Sequence, residues 1–424
     1  MISNSIFKNT VLFLVLSILS CGNSFDAKGK RGKPKVLEAD SKSMTAEIRT
    51  GADNWIAYLS ILKKHKNIGI VANQSSIVNF NPKHKSRDEH HSVPATNSMH
   101  LVDWLVENKL NVIKIYAPEH GFRGTADAGE LIKDGKDTKT GIPIISLYGD
   151  NKKPKPEQLA GIDILLFDLQ DVGARFYTYI SSLHYIMEAC AENNIQLIIL
   201  DRPNPNGSIA DGPILEKENS SFIGMHPVPV LHGMTIGEYG KMINGEKWLK
   251  NGIQCKLTVI PCLNYTKDMA YSLPVKPSPN LPNDQAVNLY ASLCFFEGTN
   301  VSVGRGTEKQ FQVYGSPFLP KTDFSFIPKP NLGAKDPLHN GKACYGEDLS
   351  KTPRVHGIEL KWLIKAYSAT ADKSKFFIPF FKKLAGTDKL QKQIESGLSE
   401  AEIRKSWQPG LENFKKIRKL YQIY

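Results

Sequence analysis

Charged residues and glycines alternate between Glu119 and Glu130, directly after a run of β-branched and aromatic residues. That run, Val112 to Tyr116, is typical of a buried strand. Pro118 ends the strand because proline has no N–H to donate to a ladder. The glycines that follow allow the backbone to approach a ligand closely. We therefore predict a ligand-binding loop at the carboxyl end of a strand, where open α/β sheets bind their ligands.

The carboxyl groups of this region are suited to acid–base chemistry. Glu119, flanked by Pro118 and close to Phe122, is the candidate general acid for a glycosidic oxygen. A second carboxylate would then act as base or nucleophile, and the separation of the two would set the stereochemistry. Asp171 and Glu130 are the candidates for that second role. The chain has no G-x-S-x-G motif, which argues against a serine hydrolase.

Polar side chains also follow four other predicted strands, which are the runs 68–72, 162–167, 195–200 and 228–231, and a further strand is predicted at 143–147. Apolar strands separated by helices are typical of a parallel sheet covered on both faces. The carboxyl ends of such strands share one edge, so we expect the polar groups to converge on one cleft. The residues that follow the strands are Asn73, Glu119, His120, Asp168, Asp171, Arg175, Asp201, Arg202, Asn204 and His232.

A proline-rich stretch, Pro274 to Pro282, indicates a domain boundary, which we place between residues 275 and 276. Beyond it, an apolar segment is followed by Glu297 and Arg305. We expect an α/β domain over residues 46–275 and a second domain over 276–424. Four arginines (Arg123, Arg175, Arg202 and Arg305) could bind a substrate carboxylate through two N–H groups, although ion pairs within the protein explain each of them equally well.

The amino-terminal residues resemble an export signal. Lys8 precedes a short apolar run that ends in Leu19-Ser20-Cys21-Gly22, which is similar to a bacterial lipobox. We expect residues 1–21 to be a lipoprotein-type signal peptide with a lipidated Cys21, and residues 22–45 to be a flexible linker. The protein would then be exported and held on a membrane, facing the periplasm or the cell surface. A plain secretory signal or an uncleaved anchor is the alternative.

The net charge of +12 does not indicate a nucleic-acid partner. Residues 1–45 carry seven basic against three acidic side chains, and residues 411–424 carry four against one, so we place much of the excess in flexible ends. No nucleic-acid-binding or dinucleotide motif is present, and we expect neither a cofactor nor a metal. The remaining cysteines lie in apolar segments and are predicted to be buried thiols, although a Cys255–Cys262 bridge stays open.

Five long segments occur together and carry a family resemblance: Y-A-P-E-H-G-F-R-G-T-A-D-A-G-E, F-D-L-Q-D-V-G-A-R-F-Y-T-Y, L-D-R-P-N-P-N-G, V-L-H-G-M-T-I-G-E-Y and F-F-E-G-T-N-V-S-V-G-R-G-T-E. They resemble the bacterial exo-β-N-acetylmuramidases of the NamZ type, over about residues 46 to 424. The resemblance implies a Rossmann-like parallel-sheet domain and a smaller carboxy-terminal α/β domain that completes the cleft. The implied activity releases terminal N-acetylmuramic acid (MurNAc) from peptidoglycan saccharides such as its disaccharide with N-acetylglucosamine, MurNAc-GlcNAc. Glu119 is the implied catalytic acid.

The substrate suggests further roles. MurNAc carries a lactyl carboxylate that N-acetylglucosamine lacks, and we favour Arg175 or Arg305 as its reader. Tyr177 and Tyr179 lie two apart at a predicted helix start, so we expect only one of them to face the cleft. The acetamido group of the substrate could replace Asp171 as the second catalytic group. The full predicted binding set is Asn73, His120, Arg123, Glu130, Arg175, Tyr177, Arg202, Asn204, His232, Glu297 and Arg305.

The residue types are also compatible with two other functions. A metal-dependent hydrolase could be built on Asp168, Asp171, His120 and His232, and it would fail in the presence of a chelator. A surface lipoprotein that binds muropeptides without turnover would tolerate the loss of Glu119.

Overall fold

The structure, a computed structural model, describes residues 47–80, 97–123 and 134–424. Its central feature is a seven-stranded sheet. The described strands are β1 (Ile68–Ala72), β2 (Ile77–Phe80), β3 (Asn97–His100), β4 (Val112–Ala117), β5 (Gly135–Lys136), β6 (Pro143–Ser146), β7 (Ile164–Asp168), β8 (Gln196–Leu200), β9 (Ala210–Asp211), β10 (Leu231–His232), β11 (Leu257–Ile260), β12 (Val313–Ser316), β13 (Ser325–Phe326) and β14 (Cys344–Asp348).

The central sheet has the strand order β11-β8-β7-β1-β4-β6-β5. All neighbouring pairs are parallel except β5 with β6, which is antiparallel at one edge. In the middle of the sheet, Ile70 lies opposite Ile115 on one side and Leu166 on the other. The predicted α/β fold with a largely parallel sheet is confirmed, and β4 lies inside the sheet with Glu119 just beyond its carboxyl end.

Ten α-helices are present among the described residues. They are α1 (Trp55–Leu62), α2 (Leu101–Glu107), α3 (Pro156–Leu159), α4 (Tyr179–Glu192), α5 (Ile236–Gly245), α6 (Asp284–Leu293), α7 (Lys361–Ala369), α8 (Phe381–Ala385), α9 (Lys389–Glu395) and α10 (Glu400–Arg418). None of the helices in the described ranges is long and apolar enough to cross a membrane.

Both faces of the sheet are buried. Successive residues of a strand point to opposite sides, so each strand contributes side chains to both cores. On β7, Ile164 and Leu166 enter the core beneath α1 and α2, whereas Leu165 and Phe167 enter the core that contains α4 and α5. The second core is the larger one and continues into the carboxy-terminal residues. Burial on both faces explains why these strands read as unbroken apolar runs.

One predicted strand of the sheet was wrong. Residues 228–231 do not join the central sheet, and His232 instead lies in a separate antiparallel pair of β9 with β10. Pro227 precedes this segment and Pro229 lies within it, and because neither proline can donate to a ladder, the segment is kept out of a central position. The edge strand of the central sheet beside β8 is β11, which was not predicted from the sequence.

The carboxy-terminal residues are not a flexible end, which corrects the expectation for residues 411–424. Helix α10 begins at a capping box of Ser399 and Glu402, and it buries Leu411 and Phe414. The last side chain, Tyr424, donates its hydroxyl to Asp201 Oδ2 at 3.0 Å. The basic residues of this segment therefore lie on a folded surface.

The proposed division into two domains stays a prediction. The chain from Ala46 onward behaves as one compact unit, although the stretch between β11 and α6 has no regular secondary structure. The carboxy-terminal part contains α6 to α10 and a three-stranded antiparallel sheet of β12, β14 and β13. Five cysteines, at positions 190, 255, 262, 294 and 344, are buried and free, so the prediction of buried thiols is confirmed.

Candidate active site

A cavity of about 260 Å³ lies beyond the end of β4. Its wall includes side chains that lie before, within and after the proline-rich stretch. Those before Pro282 are Glu119, His120, Tyr148, Phe176, Tyr177, Thr178, Tyr179, Phe222, Ile223, Ser278, Asn280 and Leu281. Those after it are Tyr290, Cys294, Glu297, Arg305, Phe311, Phe380 and Leu384. The cavity therefore combines the sheet edge with residues of the carboxy-terminal part.

A tight turn presents Glu119 to this cavity. The turn closes with a 3.0 Å hydrogen bond from the Gly121 N–H to the Pro118 carbonyl. His120 occupies the third position of the turn with φ of 73°, a conformation that glycine usually supplies. A residue other than glycine held in this conformation next to a cavity supports the hypothesis of a functional site there. Glu119 and His120, both predicted site residues, lie side by side in the cavity wall.

Hydroxyl groups surround the carboxylate of Glu119. Thr178 donates its Oγ1–H to Glu119 Oε2 at 2.8 Å. Tyr148 also interacts with this carboxylate, and burial together with the Glu119 charge raises the pKa of Tyr148 to about 12. Tyr179 donates to the Glu119 backbone carbonyl at 3.4 Å. Because Tyr148 keeps its proton at neutral pH, the hydroxyl groups of Thr178 and Tyr148 both act as donors that orient the Glu119 carboxyl group.

Tyr177 and Tyr179 both line the cavity, so the expectation that only one of them would face the cleft was wrong. That expectation assumed that both residues lie on a helix. Helix α4 instead begins at Tyr179, and Tyr177 precedes it. The two rings meet edge to face with centroids 4.8 Å apart, and Tyr177 donates its hydroxyl to the Pro277 carbonyl at 2.7 Å. Burial raises the pKa of both phenols.

Asn73 lies behind the wall rather than in it. It is fully buried and donates its Nδ2–H to the Tyr179 hydroxyl at 2.6 Å. Its Oδ1 accepts hydrogen bonds from the Ser75 N–H at 2.9 Å and the Ser75 hydroxyl at 2.6 Å. The amide therefore positions Tyr179, which in turn contacts the Glu119 backbone carbonyl. The predicted contact of Asn73 with substrate stays a prediction.

Arg305 and Glu297 are the charged pair of the cavity. The Arg305 Nε–H donates to Glu297 Oε1 at 2.5 Å, and the two side chains are 25% and 23% exposed. The guanidinium also lies over the Phe311 ring at 5.2 Å. Burial opposes the charge on Arg305, but Glu297 outweighs it and raises the arginine pKa. The Nη groups of Arg305 have no hydrogen-bond partner among the described residues, so they can bind an anion in the cavity.

Arg175 has a different role from the one considered for it. It is fully buried and donates four hydrogen bonds of 2.8 to 2.9 Å to backbone carbonyls. The acceptors are Pro213 and Val228 on one side and Leu384 and Ala385 on the other. Burial lowers the pKa of Arg175 to about 10. Its donors tie two distant segments together, and it does not line the cavity, so we do not retain it as a reader of the substrate carboxylate.

Arg202 and Arg123 also have partners within the protein. Arg202 grips Asp168 with two hydrogen bonds, from Nε to Oδ1 at 2.7 Å and from Nη2 to Oδ2 at 2.8 Å. Arg123 binds Asp137 with its Nη2 at 2.9 Å and lies over the Phe122 ring at 4.5 Å. Neither arginine is part of the cavity wall. The sheet edge is therefore partly held together by its own ion pairs.

Asp171, Asn204 and His232 form a buried group away from the cavity wall. Asp171 Oδ2 accepts the Gly173 N–H at 2.7 Å and lies 3.4 Å from His232 Nε2, although that contact lacks hydrogen-bond geometry. Asn204 donates to the Met234 carbonyl at 3.0 Å. This group shapes the loops after β7 and β8, and the catalytic role considered for Asp171 has no support from its position.

Glu130, the other candidate for the second catalytic group, lies outside the described residues, as does Cys21. A metal site was the rival interpretation of the acidic and histidine residues. Within the part of the chain that the structure describes, no three His, Cys, Asp or Glu side chains are grouped so that they could hold a metal ion. Asp168, one of the residues of that interpretation, forms an ion pair with Arg202.

Several wall residues were missed from the sequence. Tyr148 follows a predicted strand directly, so the rule that placed Glu119 would also have found it. Thr178 lies within the segment F-D-L-Q-D-V-G-A-R-F-Y-T-Y, but a threonine between two tyrosines does not by itself indicate a functional residue. Ser278, Asn280 and Phe380 come from irregular segments, and only the tertiary structure brings them to the cavity.

Comparison with known proteins matches most of the chain. Residues 68–285 match the family described as exo-β-N-acetylmuramidase NamZ, N-terminal, and residues 288–424 match its C-terminal counterpart. The peptidoglycan β-N-acetylmuramidase NamZ of Bacillus subtilis is 38% identical over 410 residues, which cover 91% of this chain and 94% of that protein.

Two crystal structures of DUF1343 family proteins from Bacteroides fragilis are also similar. One has 44% identity and a TM-score of 0.79, and the other has 25% identity and a TM-score of 0.70. Each comparison covers 89% of this chain and 99% of the solved chain. With both family regions matched in order along one chain, the protein belongs to the NamZ family of exo-β-N-acetylmuramidases.

Proposed function

We propose that this protein is an exo-acting glycoside hydrolase that releases terminal N-acetylmuramic acid from the non-reducing end of peptidoglycan fragments, in cell-wall turnover and recycling. The observation that carries the proposal is the carboxyl group of Glu119, which lies in the wall of a cavity and is oriented by Thr178. The chain has this arrangement within a sequence that matches a peptidoglycan β-N-acetylmuramidase over nearly its whole length.

The size of the cavity favours exo action. Its volume of about 260 Å³ lies just below the range of about 300–1,000 Å³ that is usual for drug-sized ligands. That space suits one sugar residue better than a saccharide chain. Tyr177, Tyr179 and Tyr290 close one part of the wall and are almost fully buried. A chain terminus can enter such a cavity, whereas an internal residue of a glycan strand would need an open groove.

Glu119 supplies the proton in the reaction that we propose. The bond between the anomeric carbon of MurNAc and the glycosidic oxygen breaks, and the Glu119 proton passes to that oxygen, so the remaining saccharide leaves as an alcohol. Water then adds to the anomeric carbon and passes a proton to the group that assists it, and proton exchange with solvent restores the Glu119 acid. Thr178 and Tyr148 keep the carboxyl group aimed at the bond. The group that assists the water stays a prediction, with Glu130 and the substrate acetamido group as candidates.

Arg305 is our candidate for the residue that recognises MurNAc. Its Nε is taken by Glu297, and its Nη groups are left to bind the two oxygens of the lactyl carboxylate. A site built to hydrogen-bond a substrate group rejects an analogue that lacks the group, because the Nη donors are then left without that hydrogen-bond partner. Saccharides that end in N-acetylglucosamine should therefore be poor substrates.

The first experiment measures release of MurNAc from MurNAc-GlcNAc by the wild-type protein and by Glu119→Gln, each with and without EDTA. Saccharides with a terminal N-acetylglucosamine serve as the specificity control. We expect release by the wild type, no effect of EDTA, and a loss of about 10²–10⁴-fold in Glu119→Gln.

Each alternative function has its own outcome in this experiment. Loss of release in EDTA would indicate a metal-dependent hydrolase. Binding of the disaccharide without any release would indicate a sugar-binding lipoprotein. Equal release from both kinds of terminus would leave the hydrolase but remove the role given to Arg305.

Export and membrane attachment are a separate part of the proposal. The support is the apolar run from Val11 to Leu19 and the lipobox-like sequence that ends at Cys21-Gly22. We expect the full-length protein, expressed in a bacterium, to partition into the detergent phase of Triton X-114. Growth with a labelled fatty acid should label the wild type and leave a Cys21→Ala variant unlabelled. Label that survives this substitution would contradict lipid attachment at Cys21.

A further inference from the structure

One aromatic ring of the cavity wall is exposed where comparable rings are buried. Phe380 is 41% exposed and lines the cavity, whereas its neighbours Phe376 and Phe381 and the nearby Phe295 are fully buried. A single exposed phenylalanine needs no explanation on most surfaces. At a cavity wall it is different, because a residue that is both exposed and in the wall must lie at the rim, where a bound saccharide leaves the cavity.

The rim position of Phe380 is fixed by the backbone beside Glu297. The Ile378 N–H donates to the Gly298 carbonyl at 2.9 Å. Gly298 also lies so close to Phe381 that a Cβ on it would be 2.4 Å from the Phe381 Cα. The buried Phe381 ring then packs against Phe295 with centroids 6.1 Å apart. Phe380 is therefore held in a constant position relative to the Glu297–Arg305 pair.

The surface of the Phe380 ring is available to a ligand. Phe222, the other partly exposed phenylalanine of the wall, stacks with Tyr185 at 6.2 Å and has the Lys152 ammonium 5.0 Å from its centroid. For Phe380, no ring or cation contact occurs within the described residues. The exposed apolar surface of Phe380 is thus unmatched by the protein, and covering it with an apolar ligand face would be favourable by about 25 cal/mol per Å².

We propose that Phe380 is the platform for the first sugar of the leaving group, the N-acetylglucosamine residue bonded to MurNAc. This inference rests on the proposed function. The cavity has room for one sugar ring, so the second ring of the disaccharide must cross the rim. A pyranose ring has an apolar C–H face, and a rigid aromatic ring covers such a face at low cost in conformational entropy. Phe380 would then determine how well the enzyme binds the aglycone side of its substrate.

The test compares two ligands that differ only in the sugar at the rim. The Michaelis constant for MurNAc-GlcNAc reports on both sites, and the inhibition constant of free MurNAc reports on the cavity alone. The variants are Phe380→Ala, Phe380→Leu and Phe380→Tyr. Phe318→Ala is the matched control, because Phe318 is 59% exposed and does not line the cavity. Thermal unfolding of each variant verifies that it is folded.

We expect Phe380→Ala to raise the KM for MurNAc-GlcNAc about tenfold and to leave the inhibition constant of MurNAc unchanged. Phe380→Tyr should stay near wild type, and Phe380→Leu should fall between the two. Phe318→Ala should change neither constant. An unchanged KM in Phe380→Ala, or an equal weakening of MurNAc and of the disaccharide, would overturn the proposal. Absence of turnover in the wild type would instead overturn the proposed function on which it rests.

Discussion

Two arginine–carboxylate pairs of this protein differ in what surrounds them. The pair of Arg202 with Asp168 is sealed inside the protein, with side chains 2% and 0% exposed and two hydrogen bonds between them. The pair of Arg305 with Glu297 shares one hydrogen bond, and about a quarter of each side chain is exposed at the cavity. We call them the internal pair and the cavity pair.

The contrast shows how one residue type serves folding in one place and binding in another. Arg202 also donates its Nη2–H to the Ile77 carbonyl at 3.1 Å, so its Nε and Nη2 donors are both used within the protein. Arg305 keeps its Nη groups for the cavity. The internal pair therefore holds three chain segments together beneath the sheet edge, whereas the cavity pair presents a charge to a ligand.

The largest effect that we expect is on stability, from breaking the internal pair. Arg202→Met leaves the buried Asp168 carboxylate without its partner, which costs about 3–5 kcal/mol in the free energy of unfolding. Urea denaturation measures this loss. Lys309→Met is the control, because it removes an exposed pair with Asp348 that should contribute no more than about 1 kcal/mol. Similar losses in the two variants would remove the distinction between sealed and exposed pairs.

A second test uses pH, because Asp201 lies in the same sealed interior as the internal pair. Burial raises the pKa of Asp201 to about 7, against hydrogen bonds from Thr235, Gly237 and Tyr424. In the unfolded chain an aspartate has a pKa of about 3.9. The folded protein thus binds this proton more tightly, and the resulting stability is fully present below about pH 4 and is lost as the pH rises through about 7.

We therefore expect the advantage in unfolding free energy of wild type over Asp201→Asn to fall by about 2–4 kcal/mol between pH 4 and pH 8. Denaturant titrations of both proteins across this range measure the difference. A difference that stays constant with pH would show that the Asp201 carboxyl is charged throughout, and that the hydrogen bonds outweigh burial.

The smallest of the three effects concerns the cavity pair and falls on binding rather than on stability. Arg305→Met should raise the KM for MurNAc-GlcNAc at least about tenfold, because a charge-assisted hydrogen bond contributes about 1.5–3 kcal/mol. Its unfolding free energy should fall by less than that of Arg202→Met. Arg305→Lys tests the geometry, since an ammonium cannot grip a carboxylate with two parallel N–H groups. A large loss of stability with an unchanged KM would place Arg305 with the internal pair.

The sequence predicts the sheet better than it predicts the roles of the charges on its edge. Strands β1, β7 and β8 are visible as nearly unbroken apolar runs and β4 as a run interrupted by Lys114, and the end of β4 places Glu119 at the cavity. Arg175, Arg202 and Arg305 look alike in sequence, because each follows an apolar segment. Only the tertiary structure shows which guanidinium groups are satisfied inside the protein.

Local sequence also fails to predict a side chain's position where that position depends on contacts with distant segments of the chain. Tyr177 joins Tyr179 in the wall because α4 begins at Tyr179, and helix boundaries are the least certain part of a sequence prediction. Phe380 reaches the cavity because Gly298 lets the segment before α8 pack closely against it. No pattern within residues 376–385 indicates that contact.

Proton donation from Glu119 to the leaving group can be measured directly. Turnover of wild type and Glu119→Gln is compared on MurNAc-GlcNAc, whose leaving group needs a proton, and on 2,4-dinitrophenyl β-MurNAc, whose leaving group does not. We predict that the loss caused by Glu119→Gln is about 100-fold or more greater on the disaccharide than on the dinitrophenyl glycoside. Equal losses on the two substrates would contradict the account, since they would mean that Glu119 supports the cavity without acting as its acid.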